Sequence, residues 1–204
     1  MDTIAAIQSR YGFGLPATYR ALLEKGHLSP NPWENYLALQ DCEWLSLEQI
    51  ANYEFLDFQI TSNGGYVPFA VSSRRDEFCW RLDWAEGKEP PIVFCERGES
   101  GFGYAPHFLG FLYRKLLEEF AGYGGIEQKR DLNRLQQAVD LVAPYLLPDW
   151  AGRLRGLSKR KFNEWKRGKY GELLLVNREE LKAEISSQLA FANLDKKFVL
   201  SKKV

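Results

Sequence analysis

The residues of this sequence that could do chemistry are few, and none stands in a catalytic spacing. There are two histidines, His27 and His107, and no Cys-x-x-Cys or His-x-x-x-His pair, so no structural or catalytic zinc is expected. His107 sits between Pro106 and Phe108, at what reads as the first turn of a helix, a partly exposed place rather than a ligand position. The three cysteines, Cys42, Cys79 and Cys95, are odd in number and widely separated. That argues against a disulfide framework and for a reducing compartment. A reactive thiolate needs electropositive neighbours, and Glu77 and Glu96 stand beside two of the three.

The segment Gly98-Glu99-Ser100-Gly101-Phe102-Gly103 imitates two motifs and satisfies neither. A nucleophile elbow requires glycine where Phe102 stands, and a dinucleotide fingerprint requires it at Pro106. Gly87-Lys88 is followed by Glu89, so no phosphate-cradling loop is present. The glycines of Arg97–Ala105 read instead as a flexible connection. Glu118 and Glu119 are consecutive and point apart on a helix. No catalytic residue, metal or cofactor is expected, and the chain reads as a non-enzyme.

What remains is charge. The chain has 27 Lys+Arg against 27 Asp+Glu, but residues 1–126 hold 10 basic and 17 acidic residues and residues 127–204 hold 17 and 10. Such an asymmetry reports on partners. The acidic excess runs from Asp41 to Glu99, with 12 acidic against 5 basic residues. Within it Asp83, Trp84, Glu86, Glu96, Glu99 and Tyr104 are the candidate partner-binding residues. Trp84 and Tyr104 are read in loops, where a large aromatic can anchor an interface or, for Trp84, simply cover the sheet edge. The basic excess is concentrated in Arg153–Lys169, with 8 Lys+Arg and one Glu. There Lys159, Arg160, Lys161, Lys166 and Arg167 are the candidate anion-binding residues, on a helix capped by Ser158 whose Phe162 and Trp165 share a face. A nucleic acid bound there would release counterions and stack on the aromatics.

The elements that must position these groups are set by periodicity. Helices are expected at the start, ended by Gly12, and again after Pro16. Another begins near Leu47, where Ser46 and Gln49 have capping-box spacing. Trp33–Leu39 reads as a short strand. Val67–Val71, Phe78–Leu82 and Ile92–Phe94 read as strands of an antiparallel meander, with Pro68 marking an unpaired side. Phe108–Phe120 has helical spacing, and Ala121–Gly125 reads as a hinge, which sets a boundary between residues 1–122 and 126–204. Beyond it come a long amphipathic helix up to Pro144 or Pro148, a strand at Leu173–Val176, a helix capped by Asn177 and a last strand at Phe198–Leu200. No run is apolar enough to span a membrane. The opening residues lack a signal-peptide pattern, so a cytoplasmic location and no membrane partner are expected.

Leu15-Pro16-Ala17-Thr18-Tyr19-Arg20-Ala21-Leu22-Leu23 is followed in order by Trp44–Ile50, Val67-Pro68-Phe69-Ala70, Phe78–Asp83, Pro90–Phe94 and the aromatic helix Phe108–Phe120. In this order and spacing, over residues 10–122, the sequence resembles the SUKH superfamily, which includes fungal cell-wall assembly regulators and many bacterial immunity proteins. The resemblance implies an α+β fold, a mostly antiparallel β-sheet flanked by helices; residues 126–204, which it does not cover, read from their periodicity as a basic, mainly helical C-terminal extension. It also implies a non-catalytic role: binding a cognate polymorphic toxin, often a nuclease, and neutralising it. The acidic face would steer a basic toxin, while an adaptor for nucleic acid through residues 153–169 is the alternative. The matched residues read as core and turn positions, so no functional site carries over.

Overall fold

Apolar alternation between residues 66 and 105 builds an antiparallel sheet in the computed structural model, which describes residues 3–28, 37–55, 65–85, 89–96, 100–122, 129–161, 163–167 and 170–200. Its first five strands are β1 (Glu43–Trp44), β2 (Tyr66–Val71), β3 (Glu77–Arg81), β4 (Ile92–Glu96) and β5 (Ser100–Ala105). A separate hairpin pairs β6 (Asn163–Arg167) with β7 (Tyr170–Leu174). The chain then returns as β8 (Lys197–Val199) to extend the sheet, whose order is β1-β2-β3-β4-β5-β8. The helices are α1 (Thr3–Tyr11), α2 (Ala17–Glu24), α3 (Leu47–Ala51), α4 (Phe108–Phe120), α5 (Lys129–Val142), α6 (Pro148–Leu157) and α7 (Arg178–Gln188). The fold is α+β.

Two compact units divide the chain. Unit 1 takes Met1–Tyr36, Asp41–Phe111 and Phe191–Val204, and unit 2 takes Leu37–Gln40 and Leu112–Ala190. The last strand thus belongs with the sheet, apart from the basic segment.

In unit 1 one sheet face carries the aromatic core. Period-two alternation puts Phe69, Phe78 and Trp80 on this face, where α2 brings Tyr19 and α4 brings Phe108 and Phe111. The rings meet edge-on or tilted: Tyr19 and Trp80 at 5.1 Å, Phe69 and Trp80 at 4.5 Å, Phe78 and Phe111 at 5.1 Å. Each such ring removes roughly 150–250 Å² from water, which makes this face the chief source of stability in the unit. The opposite face is smaller. Tyr66, Cys79, Val93 and Cys95 lie there, covered by Leu200 from the C-terminal segment with Phe55, Trp84 and Phe198 packed around them.

Helix α4 is held at its start by two side chains. Glu89 Oε1 accepts the Phe108 N–H at 2.6 Å, and His107 Nδ1 accepts the Gly110 N–H at 3.1 Å. Burial lowers the His107 pKa, so the ring is neutral and able to accept near neutral pH. Protonation would remove the acceptor and set a cation against the positive end of the helix. A group with a lowered folded pKa takes up its proton more readily when unfolded, so stability falls as pH drops below the unperturbed histidine value. The thermal midpoint is therefore expected to fall between about pH 7 and about pH 5.5, and to fall less in His107→Asn, which caps without titrating. Glu89 has the opposite sign, since burial raises its pKa, but it is common to both proteins and cancels in the comparison. Equal slopes would refute the assignment.

Unit 2 is organised by polar pairs around an aromatic stack. Tyr113 of α4 lies flat on Trp150 of α6 at 4.6 Å. Its hydroxyl donates to Glu184 Oε1 at 2.6 Å, and Trp150 Nε1 donates to Gln188 Oε1 at 2.9 Å. Glu119 is buried in α4, accepts the Gln40 N–H at 2.6 Å and pairs with Arg134 of α5 at 3.2 Å. The carbonyl of Phe120 at the end of α4 accepts the N–H groups of Leu175 and Val176 at 3.0 and 3.1 Å.

Four expectations are corrected. Among the described residues the first strand is Glu43–Trp44; of the expected strand Trp33–Leu39, residues 37–39 belong to no strand element and residues 33–36 lie outside the described ones. The glycine-rich segment is strand β5 over its described part, Ser100–Ala105, because strand pairing on both sides satisfies its backbone. Ser158 is the C-cap of α6, not the N-cap of a basic helix. The chain then enters the β6–β7 hairpin, with Trp165 opposite Glu172, and Phe162 lies outside the described residues. Pro68 lies in an interior strand rather than one with an unpaired side: β2 has β1 on one side, paired at Ala70 and Val71, and β3 on the other, where the register shifts between Pro68 and Ala70.

Candidate interaction groove

Part of the acidic excess of unit 1 lies at one end of the sheet, and local structure puts it there. Ser46 Oγ accepts the Gln49 N–H at 3.1 Å while Gln49 Oε1 accepts the Ser46 N–H at 2.7 Å, a complete capping box that starts α3. This short helix exposes Glu48, and its C-cap Asn52 is exposed as well. Its exit is pinned by Arg10, whose guanidinium donates to the carbonyls of Ala51 at 2.6 Å and Tyr53 at 2.7 Å. The Tyr53 hydroxyl donates to Glu77 Oε1 at 3.3 Å, and burial, followed by the Glu77 charge, pushes the phenol pKa up.

Asp41 has a left-handed backbone (φ 50°), and its Oδ1 accepts from Ser73 N–H at 2.8 Å and Ser73 Oγ at 2.6 Å. Next to it Glu43 pairs with Val71. Ser72 Oγ donates to Asp76 Oδ2 at 2.8 Å, and Glu96, one residue past the Glu77–Cys95 pair, accepts from Ser100 Oγ at 2.9 Å. Between α3 and the end of β2 lies an open groove of about 450 Å³, lined by Leu45, Val71, Glu48, Glu54, Tyr53 and Arg75 among others. The floor is apolar and the rim carries two carboxylates and one guanidinium. Such a site suits a basic side chain with a long alkyl stem.

No group of three His, Cys, Asp or Glu among the described residues could hold a metal. All three thiols are buried, and burial raises the pKa of Cys79.

The candidate partner residues scatter. Asp83 forms a salt bridge with Arg81 at 2.9 Å, beyond the end of β3 opposite to Glu96. Five residues of β4 ladder separate those ends, roughly 17 Å at strand rise. Trp84 is half-buried, its ring 4.2 Å from the Arg81 guanidinium. Tyr104 is in strand β5 rather than a loop, 3% exposed, packed against Phe78 and Phe111. Glu86 and Glu99 lie outside the described residues.

Of the basic candidates, Arg160 is already paired: its Nη1 meets Glu180 Oε1 at 2.8 Å. Arg153 reaches Glu180 at 2.9 Å and Glu184 at 3.3 Å, and Arg155 reaches Asp140 at 3.6 Å. Hydrogen bonding from Arg160 holds the Glu180 carboxyl below its ordinary pKa. Lys159 and Lys161 are exposed, and Lys166 and Arg167 lie in β6. Much of the basic excess is thus answered inside unit 2.

The family model described as the SMI1 / KNR4 family (SUKH-1) matches residues 2–114. The chain belongs to this family. No curated protein and no solved structure matches it significantly. The groove with Glu48 and Glu54 on its rim, and Asp41, Glu43 and Asp76 at the same end of the sheet, lie wholly within the span matched by SUKH-1. The sequence points to the acidic region but not to these residues. The capping box at Ser46 is the one signal that ties any of them, Glu48, to a definite exposed position. No helix among the described residues is long and apolar enough to cross a membrane.

Proposed function

We propose that this SUKH-1 chain is a non-catalytic immunity protein of the cytoplasm that binds and neutralises a cognate basic toxin, of the nuclease kind, through the acidic end of unit 1. The observation that carries this reading is an open groove in the family-matched part lined by Glu48 and Glu54, at the end of the sheet where strand pairing and the β2–β3 turn also put Glu43, Asp76 and Glu96, with Asp41 bonded to that turn. A surface of one sign steers an oppositely charged partner and raises the association rate. The binding domain is residues 1–122 completed by β8, and the rest of residues 126–204 is a basic extension to it. Among the described side chains the adaptor reading has the exposure of Lys159 and Lys161 in its favour, while Arg153, Arg155 and Arg160 are engaged by carboxylates of unit 2.

Co-expression with a toxin encoded beside it tests the reading. Restored growth and a co-purifying complex that weakens with salt are expected. If no neighbouring toxin is bound or inhibited, the proposal fails.

A further inference from the structure

We propose that the β5 edge is a strand-docking site, filled in this chain by its own residues 191–200, and that an extended peptide bearing phenylalanine and, two residues on, leucine takes the same seat.

The seat is cut into the backbone. A Cβ on Gly101 would overlap the Phe198 ring and stand 2.7 Å from the Phe94 carbonyl, and one on Gly103 would overlap the Asn193 carbonyl. Glycine inside a strand weakens it unless another segment approaches closely, and here one does. Ser100, Gly101 and Phe102 pair with Val199, Phe198 and Lys197. Gly103 donates its N–H to Lys196 O at 3.2 Å, and the Asp195 N–H donates back to Gly103 O at 2.8 Å.

The seat also reads side chains. The Arg81 guanidinium is held by Asp83 and packs against Trp84 at 4.2 Å and Tyr66 at 4.7 Å, and the Phe198 ring closes this clasp at 4.5 Å. Leu200 enters the apolar patch of Tyr66, Cys79, Val93 and Cys95. Lys197 and Val199 face outward, Val199 being 83% exposed. Main-chain pairing with alternate side chains in pockets is the mode by which sheet edges take peptides.

Seat and occupant are separable. Tyr66, Cys79, Arg81, Trp84, Val93, Cys95, Gly101 and Gly103 all lie within the family-matched residues 2–114, and the occupant lies outside them. A strand of three residues at the sheet edge is the kind of element that opens without global unfolding.

The test uses the full chain and a fluorescein-labelled peptide of residues 191–200. Fluorescence anisotropy is expected to show saturable binding to a Phe198→Ala/Leu200→Ala chain. Binding to the unaltered chain should be at least about tenfold weaker, because its competent fraction is small. A peptide with alanine in place of Phe198 should lose about tenfold on the double variant, since the clasp goes unfilled. In the unaltered chain the Gly103 amide should exchange with deuterium faster than the β3–β4 ladder. A variant folded by circular dichroism that binds no peptide, or binds the alanine peptide equally, overturns the proposal. Exchange of Gly103 only through global unfolding also overturns it, and decides alone should the double variant not fold.

Discussion

Gly103→Ala is expected to destabilise unit 1 by about 2–3 kcal/mol, the upper range for forcing atoms into a packed site. The new methyl has no room, because the Asn193 carbonyl already occupies its place and the ring of Phe191 stands 3.1 Å away. The obstruction is backbone, which cannot rotate aside as a side chain could. Either β5 bends and loses part of its pairing with β4, or residues 191–196 lift off. Urea unfolding followed by tryptophan fluorescence measures the loss. Gly152→Ala is the control: nothing lies within 4 Å of its added Cβ, and it sits inside α6. There alanine should stabilise by about 0.5–1 kcal/mol through helix propensity. If Gly103→Ala is as benign as Gly152→Ala, the C-terminal segment does not sit on β5 in solution.

Reversing Glu48 and Glu54 to lysine is expected to slow association with a cognate basic toxin about 10–100-fold at low salt. Both carboxylates line the groove between α3 and β2. Each reversal replaces attraction with repulsion along the whole approach of the partner. The effect should shrink as salt rises, since the Debye length falls from about 10 Å at 0.1 M to about 3 Å at 1 M. Dissociation should change less, because steering acts before contact. Stopped-flow or surface-plasmon measurements across a salt series separate the two rates. Equal slowing by Asp83→Lys would place the interface at the other end of the sheet, and no slowing by either change would remove electrostatic steering from the mechanism.

Local signals are legible wherever the residues concerned are neighbours in the chain. The capping box at Ser46 and Gln49, the Asn177 cap whose side chain accepts the Glu180 N–H, and Gly12 ending α1 with φ 63° all act within a few residues. The alternation in β2, β3 and β4 and the helical spacing of α4 are equally local. The failures have a common cause. Gly101 and Gly103 look like flexible-loop residues until the segment that presses on them is known, and it arrives some ninety residues later in the chain. Tyr104 goes astray with them. The basic run after Ser158 has mixed periodicity, and pairing between β6 and β7 takes the place of a helix.

The amino-acid sequence by itself determined the α+β class, the family and the opposed charges of the two halves, because these depend on composition, order and short-range pattern. Only the tertiary structure decided where the charges can act. Strand pairing brings Glu43, Asp76 and Glu96 to one end of the sheet and carries Asp83 to the other. Ion pairs between α6 and α7 bind Arg153 to Glu180, and Arg160 just past α6 joins the same carboxylate. Charge counted along a chain is additive, whereas its effect depends on distance and on which opposite charge lies within a few ångströms. Those distances exist only after folding.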